Sequence, residues 1–177
     1  MEKIKIVDNF LDSNELKILN NIIETKSWGY GHRSIKKENN YKIDSIIDNI
    51  FFSTETNDFF FEKYILEKIN LIFSKKFKIN RNYMHIQTIA LDGSYHIDDE
   101  NQNTYSFCIY INTNPENDIE NIGGDLFIKI PNNKNIIGIE PKNNRGILFP
   151  SYYYHKGDAF NRSAINEYRL CITWKLE

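Results

Sequence analysis

The residues most able to do chemistry are an imidazole and a carboxylate two positions apart, in Tyr95-His96-Ile97-Asp98. On an extended chain, positions i and i+2 share a face, so His96 and Asp98 project together. Two such ligands can take adjacent corners of one metal ion. A distant second histidine would then complete a face of two histidines and one carboxylate with three positions left open. His155, at the end of the aromatic run Ser151 to Tyr154, is the candidate for that third ligand. A solvent-facing histidine in an acidic turn would show the same His-x-Asp spacing, so the weight rests on what lies downstream. Arg169 stands inside the apolar strand Tyr168 to Trp174. A guanidinium there needs a buried anion.

Other candidates carry less. His85 alternates with apolar neighbours in Tyr83-Met84-His85-Ile86-Gln87 and reads as a satisfied strand histidine rather than a fourth ligand. His32 precedes Arg33 in a polar loop. The stretch Trp28 to Ser34 combines glycines, aromatics and an arginine, so Tyr30 and Arg33 are candidates for a lid that touches substrate; a plain surface loop reads the same way. Of Tyr152, Tyr153 and Tyr154, which alternate faces if extended, Tyr153 is the candidate to border a substrate. Asp99 and Glu100 fit a rim favouring polar or cationic substrates, and equally a solvated turn.

These side chains need a scaffold. Asp12 followed by Glu15 predicts a capping box ahead of Leu16, Leu19, Ile22 and Ile23 at helical spacing. Asn57 or Asp58 caps a second predicted helix with Phe61, Ile65, Ile69 and Phe73 on one stripe. From Asn82 onward, short runs rich in Ile, Tyr, Phe and Thr alternate with turn residues such as Asp92-Gly93 and Gly123-Gly124. They predict strands at 82–91, 94–98, 104–112, 125–130, 135–140, 146–149, 153–159 and 168–176. Two helices followed by eight strands predict a mainly β, α+β chain: a jelly roll with N-terminal helices packed on one sheet. The expected organisation is a single domain over 1–177, with 1–80 a helical buttress and 81–177 the jelly-roll core.

Composition narrows the class. At 177 residues with 41% hydrophobic and 14% aromatic residues, the chain can bury a core without disulfides or metals. A formal charge of −2 gives no sign of a nucleic-acid or anionic-membrane partner. Cys108 and Cys171 both lie in apolar strand-like runs, which fits buried thiols in a reducing compartment. No apolar run is long enough for a signal peptide or a membrane span, so the expectation is a soluble, cytoplasmic protein.

Taken together, the opening VDNFLDSNEL, the pair in GSYHIDD, and the runs SFCIYIN, GGDLFIKIP, GILFPSYYYH and YRLCITWKL resemble the 2-oxoglutarate/iron(II) oxygenase superfamily, nearest its prolyl-4-hydroxylase-like branch. The resemblance covers nearly the whole sequence. It implies a double-stranded β-helix in which His96, Asp98 and His155 hold Fe(II) and Arg169 holds the distal carboxylate of 2-oxoglutarate. Tyr110 matches a tyrosine that bonds the same carboxylate; a core aromatic with its hydroxyl at the surface reads the same way. Where many relatives carry Ser or Thr two residues after the basic residue, this chain has Cys171, and Thr173 is the substitute. The implied activity consumes O2 and 2-oxoglutarate, releases succinate and hydroxylates an unactivated C–H bond of a peptide or small molecule, with ascorbate as a possible auxiliary. Retention of Asp98 distinguishes the chain from the halogenating branch. Demethylation or desaturation are the other outcomes of the same chemistry. Two rival readings remain: a cupin-like non-oxidative metal protein, an isomerase or sensor, and a catalytically inactive binding module. Substrate and oligomeric state are not legible.

Overall fold

The chain's computed structural model describes residues 4–32, 50–112, 123–132, 134–161 and 168–177. Asp12 starts the first helix as its sequence predicts. Its Oδ1 accepts from the N–H groups of Asn14 (2.8 Å) and Glu15 (2.9 Å), and the Glu15 carboxylate accepts from the Asp12 N–H (2.7 Å). This reciprocal cap satisfies donors that the first turn would leave orphaned. Helix α1 (Ser13–Thr25) follows, with Leu19 fully buried. The second helical segment opens as a π-helical turn over Phe60–Ile65 and continues as α2 (Leu66–Phe73). Its stripe of Phe61, Ile65, Ile69 and Phe73 is buried throughout. Glu15 of α1 forms an ion pair with Lys68 of α2, and the Trp174 indole donates to the Phe61 carbonyl at 3.2 Å. The helices are thereby tied to each other and to the sheet beneath.

Ten strands form among the described residues: β1 (Lys5–Val7), β2 (Gly29–His32), β3 (Phe51–Glu55), β4 (Ile79–Gln87), β5 (Tyr105–Asn112), β6 (Leu126–Lys129), β7 (Ile136–Ile139), β8 (Arg145–Pro150), β9 (Tyr154–Gly157) and β10 (Arg169–Leu176). They make a seven-stranded sheet in the order β1-β8-β5-β10-β4-β3-β2 and a three-stranded sheet in the order β7-β6-β9, with every pairing antiparallel. The strand period of two sorts the residues of the large sheet. Phe107, Ile109, Leu170, Ile172 and Trp174 face the helices, in one core with Phe61, Ile65 and Ile69. Cys108, Tyr110, Ile147, Phe149 and Cys171 face the other way and meet Leu126, Ile128 and Ile139 of the small sheet in a second core. Two facing antiparallel sheets with helices on the outside of one are a jelly roll, the expected class.

Two expectations need correction. Residues 94–98 do not form a strand; they touch β9 at a single antiparallel bridge, His96 to His155. Residues 1–80 are not only helical, because β1, β2 and β3 all join the large sheet and β4 begins at Ile79. The reason is length: β1 has three residues and β2 is broken by Gly31, so neither shows enough alternation to read as a strand. Among the described residues, no helix is long and apolar enough to cross a membrane.

Asn144 fastens the N-terminal segment to the turn before β8. It sits at φ 59°, 5% exposed, where its side chain accepts from the Leu11 N–H (2.8 Å) and donates to the Leu11 carbonyl (2.7 Å). Asparagine tolerates this left-handed conformation, which a Cβ-only residue resists. Asn144→Ala strands two buried backbone groups and is expected to cost about 2–4 kcal/mol. A urea titration checks this through a lowered midpoint at constant slope, and a change under about 0.5 kcal/mol would place Asn144 with ordinary surface positions.

Candidate functional site

The small sheet brings the candidate ligands together through two backbone hydrogen bonds. The His96 N–H donates to the His155 carbonyl at 3.0 Å, and the His155 N–H donates to the His96 carbonyl at 2.9 Å. Residues exchanging both bonds in an antiparallel pair point their side chains to the same side. The two rings stand 4.4 Å apart, centroid to centroid. Each Nδ1 lies 2.8 Å from a backbone carbonyl, that of Ser94 for His96 and that of Tyr153 for His155. A carbonyl only accepts, so both Nδ1 atoms carry the proton and both Nε2 atoms present a lone pair.

Asp98 completes the group. Its N–H donates to the Ser151 carbonyl at 2.9 Å, and the Ser106 hydroxyl donates to Oδ2. Asp98 Oδ1 lies 3.4 Å from His96 Nε2, and Oδ2 lies 3.4 Å from His155 Nε2. One ligand atom from each of the three residues falls within 4.8 Å of the others. Ligands at about 2.1 Å from one ion and at right angles stand about 3 Å apart, so the group suits a single small cation. Burial pushes the Asp98 carboxyl up, but the Lys175 ammonium outweighs it and holds it well below the usual carboxylate range. Burial lowers His155, against the pull of Asp98, and favours the neutral imidazole that a metal takes. Lys175 ion-pairs with Asp98 Oδ2. Burial lowers that ammonium, and Asp98 more than compensates, leaving it above its ordinary value. The donor set of two imidazoles and a carboxylate matches non-haem iron(II).

Arg169 opens β10 and is 2% exposed. Its Nε donates to the Gly124 carbonyl at 2.7 Å, Nη1 donates to Gln87 Oε1, and the guanidinium carbon lies 4.6 Å from the Tyr110 ring centroid. Gln87 is fixed in turn by donating to the carbonyls of Leu91 (3.0 Å) and Gly157 (2.9 Å). A Cβ on Gly157 would stand 2.7 Å from Nη2, so only glycine lets β9 pass this close. Gly157 is two residues beyond His155, one strand repeat or about 7 Å. The guanidinium therefore lies one repeat past the candidate metal face. No carboxylate pairs with it among the described residues; its partners there are a carbonyl, an amide oxygen and an aromatic face. Tyr110 is 1% exposed, and burial raises its hydroxyl well above its usual value, with Arg169 opposing.

The other candidates separate. Thr173 shares the inward face of β10 but contacts the thiols, 3.6 Å from Cys171 Sγ and 3.7 Å from Cys108 Sγ. It lies about 13 Å along the strand from Arg169, too far to act on the same group as the guanidinium. Tyr153 is 8% exposed and packs in the core between the sheets, while its carbonyl orients His155. Tyr30 is corrected: it pairs with Phe52, which pairs with Ile86, and that register puts it on the helix side of the sheet, 66% exposed. Arg33 lies outside the described residues. His85 faces inward, yet its Nδ1 is buried without a hydrogen-bond partner among the described residues, so it is not the satisfied strand histidine its sequence predicts. His32 is no loop residue; it ends β2 and stacks on His85 with centroids 5.7 Å apart. Gln87, Ser106, Gly124, Gly157 and Lys175 were not singled out in the sequence. For Gln87, Ser106 and Lys175 the available signal was parity, since each shares the strand face of a residue that was.

No family model and no curated protein matches the sequence. Solved structures do. A 2OG-Fe(II) oxygenase family oxidoreductase from Burkholderia pseudomallei matches 99% of this chain and 85% of its own at 9% identity, with a TM-score of 0.73. The non-heme alpha ketoglutarate dependent epimerase SnoN of nogalamycin biosynthesis matches 99% of this chain and 77% of its own at 8% identity, with a TM-score of 0.65. A prolyl hydroxylase of Trichoplax adhaerens, solved with a hypoxia inducible factor oxygen degradation domain peptide fragment, matches 98% of this chain and 83% of its own at 17% identity, with a TM-score of 0.62. The chain thus has the jelly-roll fold of 2OG-Fe(II) oxygenases, prolyl hydroxylases among them.

A titration with Mn(II), followed by loss of the free-ion electron paramagnetic resonance signal, is expected to saturate at one ion per chain. Asp98→Ala and His155→Ala are expected to abolish binding, and Ser106→Ala to weaken it about tenfold by freeing the Asp98 carboxylate to turn.

Proposed function

We propose that this chain is an iron(II)- and 2-oxoglutarate-dependent oxygenase. One observation carries the reading: a fully buried guanidinium with no carboxylate partner among the described residues, one strand repeat from a face of two imidazoles and one carboxylate. A buried charge without a counter-charge is costly, and a site built to receive an anion explains why it is kept.

In this reading His96, Asp98 and His155 hold iron(II) through His96 Nε2, His155 Nε2 and a carboxylate oxygen, leaving the remaining positions open to ligands. Arg169 grips the distal carboxylate of 2-oxoglutarate with its planar fork of donors. Tyr110 borders the guanidinium and donates its hydroxyl hydrogen to the same carboxylate. Gln87 and Gly124 hold the fork in place, and Gly157 leaves room for it. Iron(II), 2-oxoglutarate and dioxygen, when bound, supply oxidation of a substrate C–H bond coupled to decarboxylation of the 2-oxoglutarate to succinate. The protein contributes orientation, charge and exclusion of water, with no protein nucleophile. Hydroxylation is the proposed outcome, on a small molecule or peptide. A cupin-like non-oxidative protein would have no use for Arg169, and an inactive module none for a complete ligand set.

The test is succinate release with iron(II), ascorbate and 2-oxoglutarate across a panel of peptides and metabolites, with products analysed for added oxygen and for inverted centres. His155→Ala and Arg169→Ala are each expected to abolish turnover, and activity intact in both rejects the proposal. Independently, 2-oxoglutarate is expected to change the absorption spectrum of the iron(II)-loaded protein. In the same spectral titration Arg169→Ala is expected to weaken 2-oxoglutarate by about 2–5 kcal/mol, and Gly157→Ala by at least about tenfold, or 1.4 kcal/mol.

A further inference from the structure

Lys175 closes the metal end of the inward row on β10. Its ammonium rests on Asp98 Oδ2, the oxygen that also faces His155 Nε2. A divalent ion held on the same carboxylate would repel that ammonium and weaken its hold on Asp98. Lysine has a long flexible stem, and this side chain is 21% exposed.

The wall beside it is aromatic. Directly opposed residues in antiparallel strands share a face, and the register sets Lys175 opposite Arg81, Thr173 opposite Tyr83 and Cys171 opposite His85. Ser53 opposite His85 and His32 opposite Phe51 extend the same face onto β3 and β2. The His32 ring lies 4.9 Å from Tyr83 and stacks on His85 at 14°. Lys175 Nζ is 5.9 Å from the Tyr83 centroid. Burial first, then the nearby cations Arg81 and Lys175, holds His32 down to about 4, and burial keeps His85 well below its usual value, so the shelf is uncharged at neutral pH. His85 Nδ1 is buried there with no partner among the described residues. Arg81, the next cation, is paired with Glu55 at 2.5 Å.

Charge then identifies what fits. With a divalent ion and the dianion of 2-oxoglutarate bound, Asp98 and the dianion would offset the ion and Arg169, leaving the ammonium of Lys175 as the uncompensated charge among these groups. We propose that Lys175 anchors the substrate, and that the substrate is a small carboxylic acid whose body lies beside the wall of His32, Tyr83 and His85. This deepens the oxygenase reading and rests on it.

Isothermal titration under argon, on protein loaded with Mn(II) and saturating 2-oxoglutarate, compares benzoate with benzamide. Saturating 2-oxoglutarate keeps the probe off Arg169. Benzoate is expected to bind at least tenfold more tightly than benzamide. Lys175→Met, measured at Mn(II) concentrations that saturate both proteins, is expected to bring the two within twofold of each other. Lys175→Arg is expected to keep the preference for the acid. A parent protein that does not prefer the acid, or a Lys175→Met protein that still does, overturns the proposal. So does loss of Mn(II) binding in Lys175→Met, which would make Lys175 a positioning residue for Asp98. A parent protein that binds Mn(II) but not 2-oxoglutarate defeats the oxygenase reading itself, an outcome distinct from these.

Discussion

Two hydrogen bonds between the backbones of His96 and His155 hold the centre of this protein. They are the whole of the pairing between residues 94–98 and the small sheet, and they place two imidazoles side by side at 4.4 Å. Each ring is turned by a carbonyl two residues before it, so the backbone also chooses the tautomer. A longer strand would add little to this geometry. Ending the pairing at His96 frees the chain to turn toward Ser151 and Ser106, where Asp98 finds its bonds.

The large sheet supplies the other half of the site, and β10 shows how one strand serves two purposes. Leu170, Ile172, Trp174 and Leu176 pack into the helix-side core, while Arg169, Cys171, Thr173 and Lys175 form a polar row on the inward side. Burying charge on one face is tolerable because the other face is a close-packed core that fixes the strand, and because Gln87 and Gly124 each accept one of the guanidinium's hydrogens. A strand held so firmly sets the spacing between its two cations by its own repeat, with Arg169 beyond His155 and Lys175 against Asp98.

Much of the scaffold was legible in the sequence. The capping box at Asp12 and Glu15, the stripe from Phe61 to Phe73 and seven of the eight expected strands follow from local chemistry, because a cap needs neighbours three residues apart and a buried face needs a period. Short elements were not legible: β1 and β2 owe their existence to the strands they border, and residues 94–98 have a strand's composition without a strand's partner.

The sequence by itself determined which side chains are candidates for chemistry and which share a face: His96 with Asp98, and Arg169 among apolar neighbours that compel it to be buried. It could not determine distance between segments, since a period orders residues along one strand and says nothing of what that strand meets. Tertiary structure decided that Gly157 lies under Arg169 and that Lys175 reaches Asp98. It also turned Tyr30 away from the site and His32 toward it, because on the short β2 a one-residue irregularity at Gly31 sets the face of everything that follows.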